Sequence, residues 1–274
     1  MIIPSETNYM DKYFSGEKLY GDDFDLDEIK KWFDDEKEGY ADLGAKEKKS
    51  YKYSYHALNA ICGFDFINEC SLNNVLGLGS AYGEELKPIL NRAKHVTIVE
   101  PSESFVSKEL FGVPCNYIPP NITGDMPFKD NQFDLITSFG VLHHIPNVSH
   151  VVTEMARCLS PGGRILIREP ITSMGDWRNK RYGLTKHERG VSDNLFDKLI
   201  RRAGLEIDRK SYCMFPPLSV FIKKVGVLPY NSKIVVYMDL LLSRLLCFNY
   251  KYHAKNNIDK IRPTSVFYVL RKIN

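Results

Sequence analysis

A chain of 274 residues with 43% hydrophobic and 26% charged side chains has the make-up of a globular protein with one good core plus elaborations, not of a disordered or fibrous one. A formal net charge of +3 is too small for a strong global attraction to nucleic acid. The six cysteines, Cys62, Cys70, Cys115, Cys158, Cys213 and Cys247, form no Cys-x-x-Cys pair, which speaks against a disulfide framework or a zinc site and for a reducing compartment.

The start, Met1-Ile2-Ile3-Pro4, lacks the basic region and long apolar core of a signal peptide, so a cytoplasmic location is expected. Residues 22–33 predict a helix, with acids in its first turn, bases later, and Phe24, Ile29, Trp32 and Phe33 on an apolar face. Lys46-Glu47-Lys48-Lys49 reads as a solvated helix surface. Residues 51–67, rich in tyrosine, predict a helix beside the first strand.

From residue 72 the pattern alternates. Strands are expected near 74–78, 95–100, 115–118, 133–139 and 163–168, and helices near 83–92, 102–110 and 148–159. Such alternation implies βαβ units and a mostly parallel sheet. Leu159-Ser160-Pro161-Gly162-Gly163 ends a helix and starts a strand. Residues 171–190 are irregular and basic, a helix follows over 192–203, another strand starts at Leu205, and residues 264–272 supply the last strand. Residues 229–249 crowd aliphatic side chains around Lys233, Asp239 and Arg244, too many charges for a spanning helix. That stretch fits a buried lid helix, a homodimer face or a membrane-surface helix.

Val75-Leu76-Gly77-Leu78-Gly79-Ser80-Ala81-Tyr82-Gly83 ends a buried strand in a glycine-rich turn, and Glu100 closes the next strand 21 residues after Gly79. At that spacing a strand-end carboxylate reaches the ribose hydroxyls of a nucleoside lying over the turn. A nicotinamide dinucleotide fits poorly, because Glu84 and Glu85 at the start of the next helix would repel its diphosphate.

Three segments in order carry a more specific likeness. They are the glycine turn, Gly124-Asp125-Met126-Pro127-Phe128 running on to Phe133-Asp134-Leu135-Ile136 and Val141-Leu142-His143-His144, and Leu159-Ser160-Pro161-Gly162-Gly163. Together they resemble the class I S-adenosylmethionine-dependent methyltransferases, in the small-molecule branch whose fourth strand runs into Val-Leu-His-His. The likeness is good over 70–170 and looser over 190–215.

It implies an α/β fold, Rossmann-like and doubly wound. The sheet would be mostly parallel and seven-stranded, with an antiparallel last strand inserted beside the sixth, and with helical N-terminal and lid elements. The corresponding division is a helical cap over 1–70, a cofactor-binding core over 71–172, a substrate lid and remainder of the core over 173–263, and the final strand over 264–274. The implied cofactor is S-adenosylmethionine, leaving as S-adenosylhomocysteine.

By the same resemblance, Gly77, Gly79, Ser80 and Ala81 underlie the cofactor's amino-acid part, and Glu100 holds the ribose. Asp125 or Met126 sits by the adenine, Asp125 accepting from its exocyclic amine, and Ser138, Phe139 and Gly140 line the methionine part. The chain departs from the pattern at Gly77, where the family usually has an acid, and at Ala81, where it has a third glycine. Glu84 or a water is the expected replacement for that acid.

His144, His143 and Glu169 follow the fourth and fifth strands at the carboxyl edge of the sheet. An imidazole there can take a hydroxyl proton, and a carboxylate can orient it. Tyr55, Arg178, Arg181 and Arg189 are acceptor-site candidates, the arginines as a clamp for an anionic group or as solvated charge. No metal-ligand spacing is visible. The expected activity is methyl transfer to a small molecule, at an oxygen of a glycan, glycolipid precursor or secondary metabolite, with no nucleic acid and no stable membrane insertion. The alternative is a non-catalytic module that binds through residues 229–249, favoured by the acid missing at Gly77.

Overall fold

The computed structural model describes residues 6–39, 41, 51–67 and 72–273. The charged run 46–49 and Cys70 lie outside them. Among the described residues the chain opens with α-helices α1 (Glu6–Phe14), α2 (Leu26–Glu36) and α3 (His56–Cys62). Helix α2 starts where acid-rich residues allow a reciprocal cap. The Asp25 carboxylate accepts from the Glu28 N–H, and the Glu28 carboxylate accepts from the Asp25 N–H. Helix α3 covers only part of the tyrosine-rich stretch. It ends at Gly63, where a Cβ would meet the Phe267 ring at 2.6 Å.

The sheet has strands β1 (Asn74–Leu78), β2 (His95–Val99), β3 (Glu109–Leu110), β4 (Val113–Ile118), β5 (Phe133–Phe139), β6 (Leu159–Pro170), β7 (Leu205–Cys213) and β8 (Ser265–Lys272). Their order is β3-β4-β2-β1-β5-β6-β8-β7. Strands β4, β2, β1, β5 and β6 run parallel, and β8 is antiparallel to both of its neighbours. The last strand thus inserts between β6 and β7 as expected.

The sheet is eight-stranded rather than seven-stranded. The segment expected as a helix near 102–110 is a short 3-10 turn at Glu103–Phe105 followed by β3. A two-residue turn then folds β3 onto β4, with Phe111 (φ 50°) and Gly112 (φ 84°) both left-handed as a tight hairpin requires. The helix expected near 83–92 is instead a 3-10 segment, Glu84–Ile89, because Pro88 offers no N–H to an α-helical ladder.

Helices α4 (Val148–Cys158) and α5 (Asp193–Arg202) cover one face of the sheet. Their buried Val151, Met155, Phe196 and Ile200 share a core with Ile136, Ile165 and Tyr268. Helices α3 and α7 (Lys233–Leu246) cover the other, with Leu58, Ile61 and Val236 packed near Val75, Leu135 and Phe267. Helix α6 (Pro216–Lys224) joins β7 to α7 and buries none of its residues. Parallel strands sandwiched this way read as continuous apolar runs, as in Ile136 or Leu76. The carboxyl ends of β1, β2, β5 and β6 are left open for a site. Among the described residues, no helix is long and apolar enough to cross a membrane.

Candidate active site

A cavity of about 490 Å³ opens at those strand ends. Its floor is the turn after β1. Gly79 has φ 62°, and a Cβ there would lie 2.6 Å from Val141. Ala81 holds the left-handed conformation (φ 46°) that a glycine would take without strain, so the backbone path survives the departure from glycine. Its N–H donates to the Glu100 carboxylate at 3.0 Å, and the Ser102 N–H donates to the other oxygen at 3.3 Å. Burial pushes the Glu100 carboxyl up to about 7, against the pull of these donors.

The space beside Gly77 is taken by the Ser80 hydroxyl. A Cβ there would sit 2.2 Å from Ser80 Oγ. That hydroxyl donates to Glu85 Oε1 at 2.7 Å, and Thr137 donates to the same oxygen at 3.4 Å. A carboxylate therefore does lie beneath the turn, contributed from the segment that follows it. It belongs to Glu85 and not to Glu84, whose side chain turns outward to Lys87 at 2.6 Å. Burial lifts the Glu85 carboxyl to about 7, and the charge of Arg168 acts in the opposite direction.

Arg168 is buried on β6. It donates to Asn59 Oδ1 at 2.9 Å and lies 3.8 Å from the centre of the Tyr55 ring. Tyr53 and Tyr55 complete this wall of the cavity.

The opposite wall is the 3-10 turn Leu142–His144. Glu169 Oε1 accepts from the Val141 and Leu142 N–H groups at 2.7 and 2.8 Å, and Oε2 pairs with His143 Nδ1 at 2.8 Å. Burial raises the Glu169 carboxyl, but the histidine and the two amides outweigh it and keep it ionised. An ionised carboxylate only accepts, so Nδ1 carries the proton and Nε2 has a free lone pair. Burial and the neighbouring His144 hold the His143 imidazole below its usual pKa, hence neutral.

His144 pairs elsewhere. Its Nδ1 lies 2.9 Å from Glu36 Oε2 on α2. Burial alone would raise the Glu36 carboxyl, but hydrogen bonds with His144 and Thr185 and the His187 N–H lower it. Helix α2 is fastened over the turn by Trp32, whose Nε1 donates to the His144 carbonyl at 2.7 Å.

Of the cofactor candidates, Gly79, Ser80, Ala81, Glu100, Asp125, Met126, Phe139 and Gly140 line the cavity, as do both histidines. Gly77, Ser138 and Glu169 lie behind the lining, with Ser138 Oγ buried and without a hydrogen-bond partner among the described residues. Asp125 is engaged on both oxygens, with Thr123 at 2.6 Å and His150 at 2.8 Å.

The acceptor-site candidates divide. Tyr55 lines the cavity; Arg178, Arg181 and Arg189 do not. Arg178 pairs with Asp176, and Arg181 donates to the Met174, Thr185, Lys186 and Glu188 carbonyls. Arg189 is wholly buried, and burial brings its pKa down to about 10. It donates to the carbonyls of Tyr20, Leu142, His143, Ile145 and Pro146, so it braces the histidine turn from behind.

Sequence spacing also missed a grouping. His143, His144 and Glu188 each bring one ligand atom within 4.8 Å of the others, a set suited to a divalent cation. Glu188 lies 44 residues from His144, beyond any local motif.

Comparison with known proteins agrees with this architecture. Residues 76–167 match the family described as "Methyltransferase domain". A demethylmenaquinone methyltransferase of Bacillus cereus is 40% identical over 108 residues, covering 38% of this chain and 44% of that protein. The match thus spans less than half of the relative. An S-adenosylmethionine-dependent methyltransferase of Mesorhizobium loti superposes over 76% of this chain and 95% of its own, at 16% identity and a TM-score of 0.51. A phosphoethanolamine N-methyltransferase of Haemonchus contortus, solved with S-adenosylhomocysteine, covers 79% of this chain and 52% of its own, at 16% identity and a TM-score of 0.52. Over residues 76–167 the chain is similar to methyltransferase domains, and it shares its fold with S-adenosylmethionine-dependent methyltransferases.

Proposed function

We propose that this chain transfers the methyl group of S-adenosylmethionine to a hydroxyl oxygen of a small acceptor, such as a glycan, a glycolipid precursor or a secondary metabolite. The observation that carries the reading is the buried His143–Glu169 pair, set on the same cavity as Glu85 and Glu100.

The residues present fit the cofactor. The Glu100 carboxylate has two oxygens for two ribose hydroxyls. The Glu85 carboxylate suits the ammonium of the methionine end, and the buried Arg168 suits its carboxylate. When bound, the cofactor supplies an electrophilic methyl group on a sulfonium. His143 Nε2 takes the acceptor's hydroxyl proton as the oxygen is alkylated, and Glu169 stabilises the imidazolium that results. Helix α2, through Ile29 and Phe33, helps close the cavity against water.

The carboxylate of Glu85 also weakens the case for a non-catalytic module, which rested on the acid missing at Gly77. The test is calorimetry with S-adenosylmethionine, followed by an acceptor screen that includes hydroxylated glycolipids and demethylmenaquinone. His143→Gln should keep cofactor affinity and lower turnover by about 10²–10³-fold. Unchanged turnover would remove His143 as the base, and no cofactor binding by a folded wild type would remove the activity.

A further inference from the structure

Among the described residues, eleven of the nineteen large apolar side chains left exposed lie between Val220 and Phe248, so the bareness is local. Helix α7 shows why. Val235, Val236, Asp239 and Ser243 face inward. The outer face, at helical spacing, is Ile234, Tyr237, Met238, Leu241 and Leu245, between 47% and 74% exposed. A helix that packs on a sheet normally turns a polar face to water, and this one has two apolar faces. Helix α6 and the residues after it extend the surface with Phe221, Val225 and Leu228. Contiguous apolar surface of this kind marks an interaction site.

Charge identifies the partner. Between Asp208 and Asp259 the only acid is Asp239, which is fully buried and accepts from the Met214 and Phe215 N–H groups. Lys223, Lys224, Lys233 and Arg244 stand at the ends of the two helices, and none makes an ion pair among the described residues. We propose that the α6–α7 face docks flat on an anionic lipid bilayer, its aliphatic stripe in the acyl boundary and its basic ends among the headgroups. At 14 residues α7 is about 21 Å long, too short to span the hydrocarbon core. A second copy of the chain is the poorer occupant, because a symmetric pairing would set these unpaired bases against one another.

The face adjoins the site across the Tyr55 ring. A second cavity, of about 280 Å³, lies beneath α6 and is lined by Pro216, Ser219, Lys223 and Leu228 together with Tyr55, which also lines the main cavity. A bilayer here would offer amphiphilic acceptors directly to the methyl-transfer site. That consequence rests on the proposed activity; the docking itself does not.

The experiment is flotation of the full chain with vesicles of phosphatidylcholine alone and with roughly 30 mol % phosphatidylglycerol added. It needs no methyl donor, so its outcome is separate from that of the activity. Binding to the anionic vesicles is expected, with at least tenfold loss in Ile234→Ser/Leu241→Ser, in Lys223→Glu/Lys224→Glu and at high salt. All four side chains are exposed, and a wild-type circular dichroism spectrum and urea midpoint in each variant verify the fold. Wild-type protein that stays unbound, or binding that both double variants retain, overturns the proposal. So does a dimer by light scattering that Ile234→Ser/Leu241→Ser converts to monomer without any vesicle binding.

Discussion

Replacing Glu85 by glutamine separates a functional acid from a structural one, because the two readings predict opposite signs. The carboxyl is buried, and its folded pKa is about 7 against an ordinary value of 4.5. Between those values the folded chain binds more protons than the unfolded one. Its contribution to stability is therefore fully present below 4.5 and is lost as pH rises through 7. At pH 8 the ionised group costs about 3 kcal/mol, from a shift of roughly 2.5 pH units at 1.36 kcal/mol each. Glutamine keeps an acceptor for Ser80 and carries no charge, so Glu85→Gln should unfold at higher denaturant than wild type at pH 8, and at nearly the same denaturant at pH 4. Cofactor binding should move the other way. Losing a charge-assisted hydrogen bond to the methionine ammonium removes about 1.5–3 kcal/mol, or roughly 10–150-fold in Kd. Wild-type affinity should itself rise from pH 6 to pH 8 as Glu85 and Glu100 ionise, and the Glu85 part of that slope should vanish in the variant. Calorimetry and urea melts on the two proteins suffice. A variant that is less stable at pH 8, or that binds S-adenosylmethionine like wild type, would refute the assignment.

Glu100→Ala should weaken cofactor binding by about 3 kcal/mol, since two hydrogen bonds from ribose are lost, and calorimetry at pH 8 reads it. Arg189→Lys should lower stability by about 2–4 kcal/mol, because an ammonium cannot serve five carbonyls, and urea melts should show it; a variant as stable as wild type would deny Arg189 its bracing role. Dialysis against EDTA should leave turnover intact where His143 Nε2 takes the proton. Turnover that needs added Mg²⁺ or Mn²⁺ would recast His143, His144 and Glu188 as metal ligands.

What the sequence determined by itself was local. The glycine turn, the acid at the end of β2, the histidine pair and the strand alternation are short-range patterns, and backbone sterics and continuous apolar runs write them directly into the chain. The inserted antiparallel β8 was legible only through the family resemblance. Tertiary structure decided the rest. Glu84 and Glu85 are indistinguishable in one dimension; the 3-10 path imposed by Pro88 sends one to Lys87 and the other beneath the turn. His144 meets Glu36 across 108 residues, a pairing no spacing rule contains. Arg189 looked like a surface base, yet burial against five carbonyls makes it a brace. Residues 229–249 were plainly apolar and too charged to span a membrane. Packing of Val236 against the sheet used up one face of α7 and left the other bare, and that remaining face is what a bilayer can read.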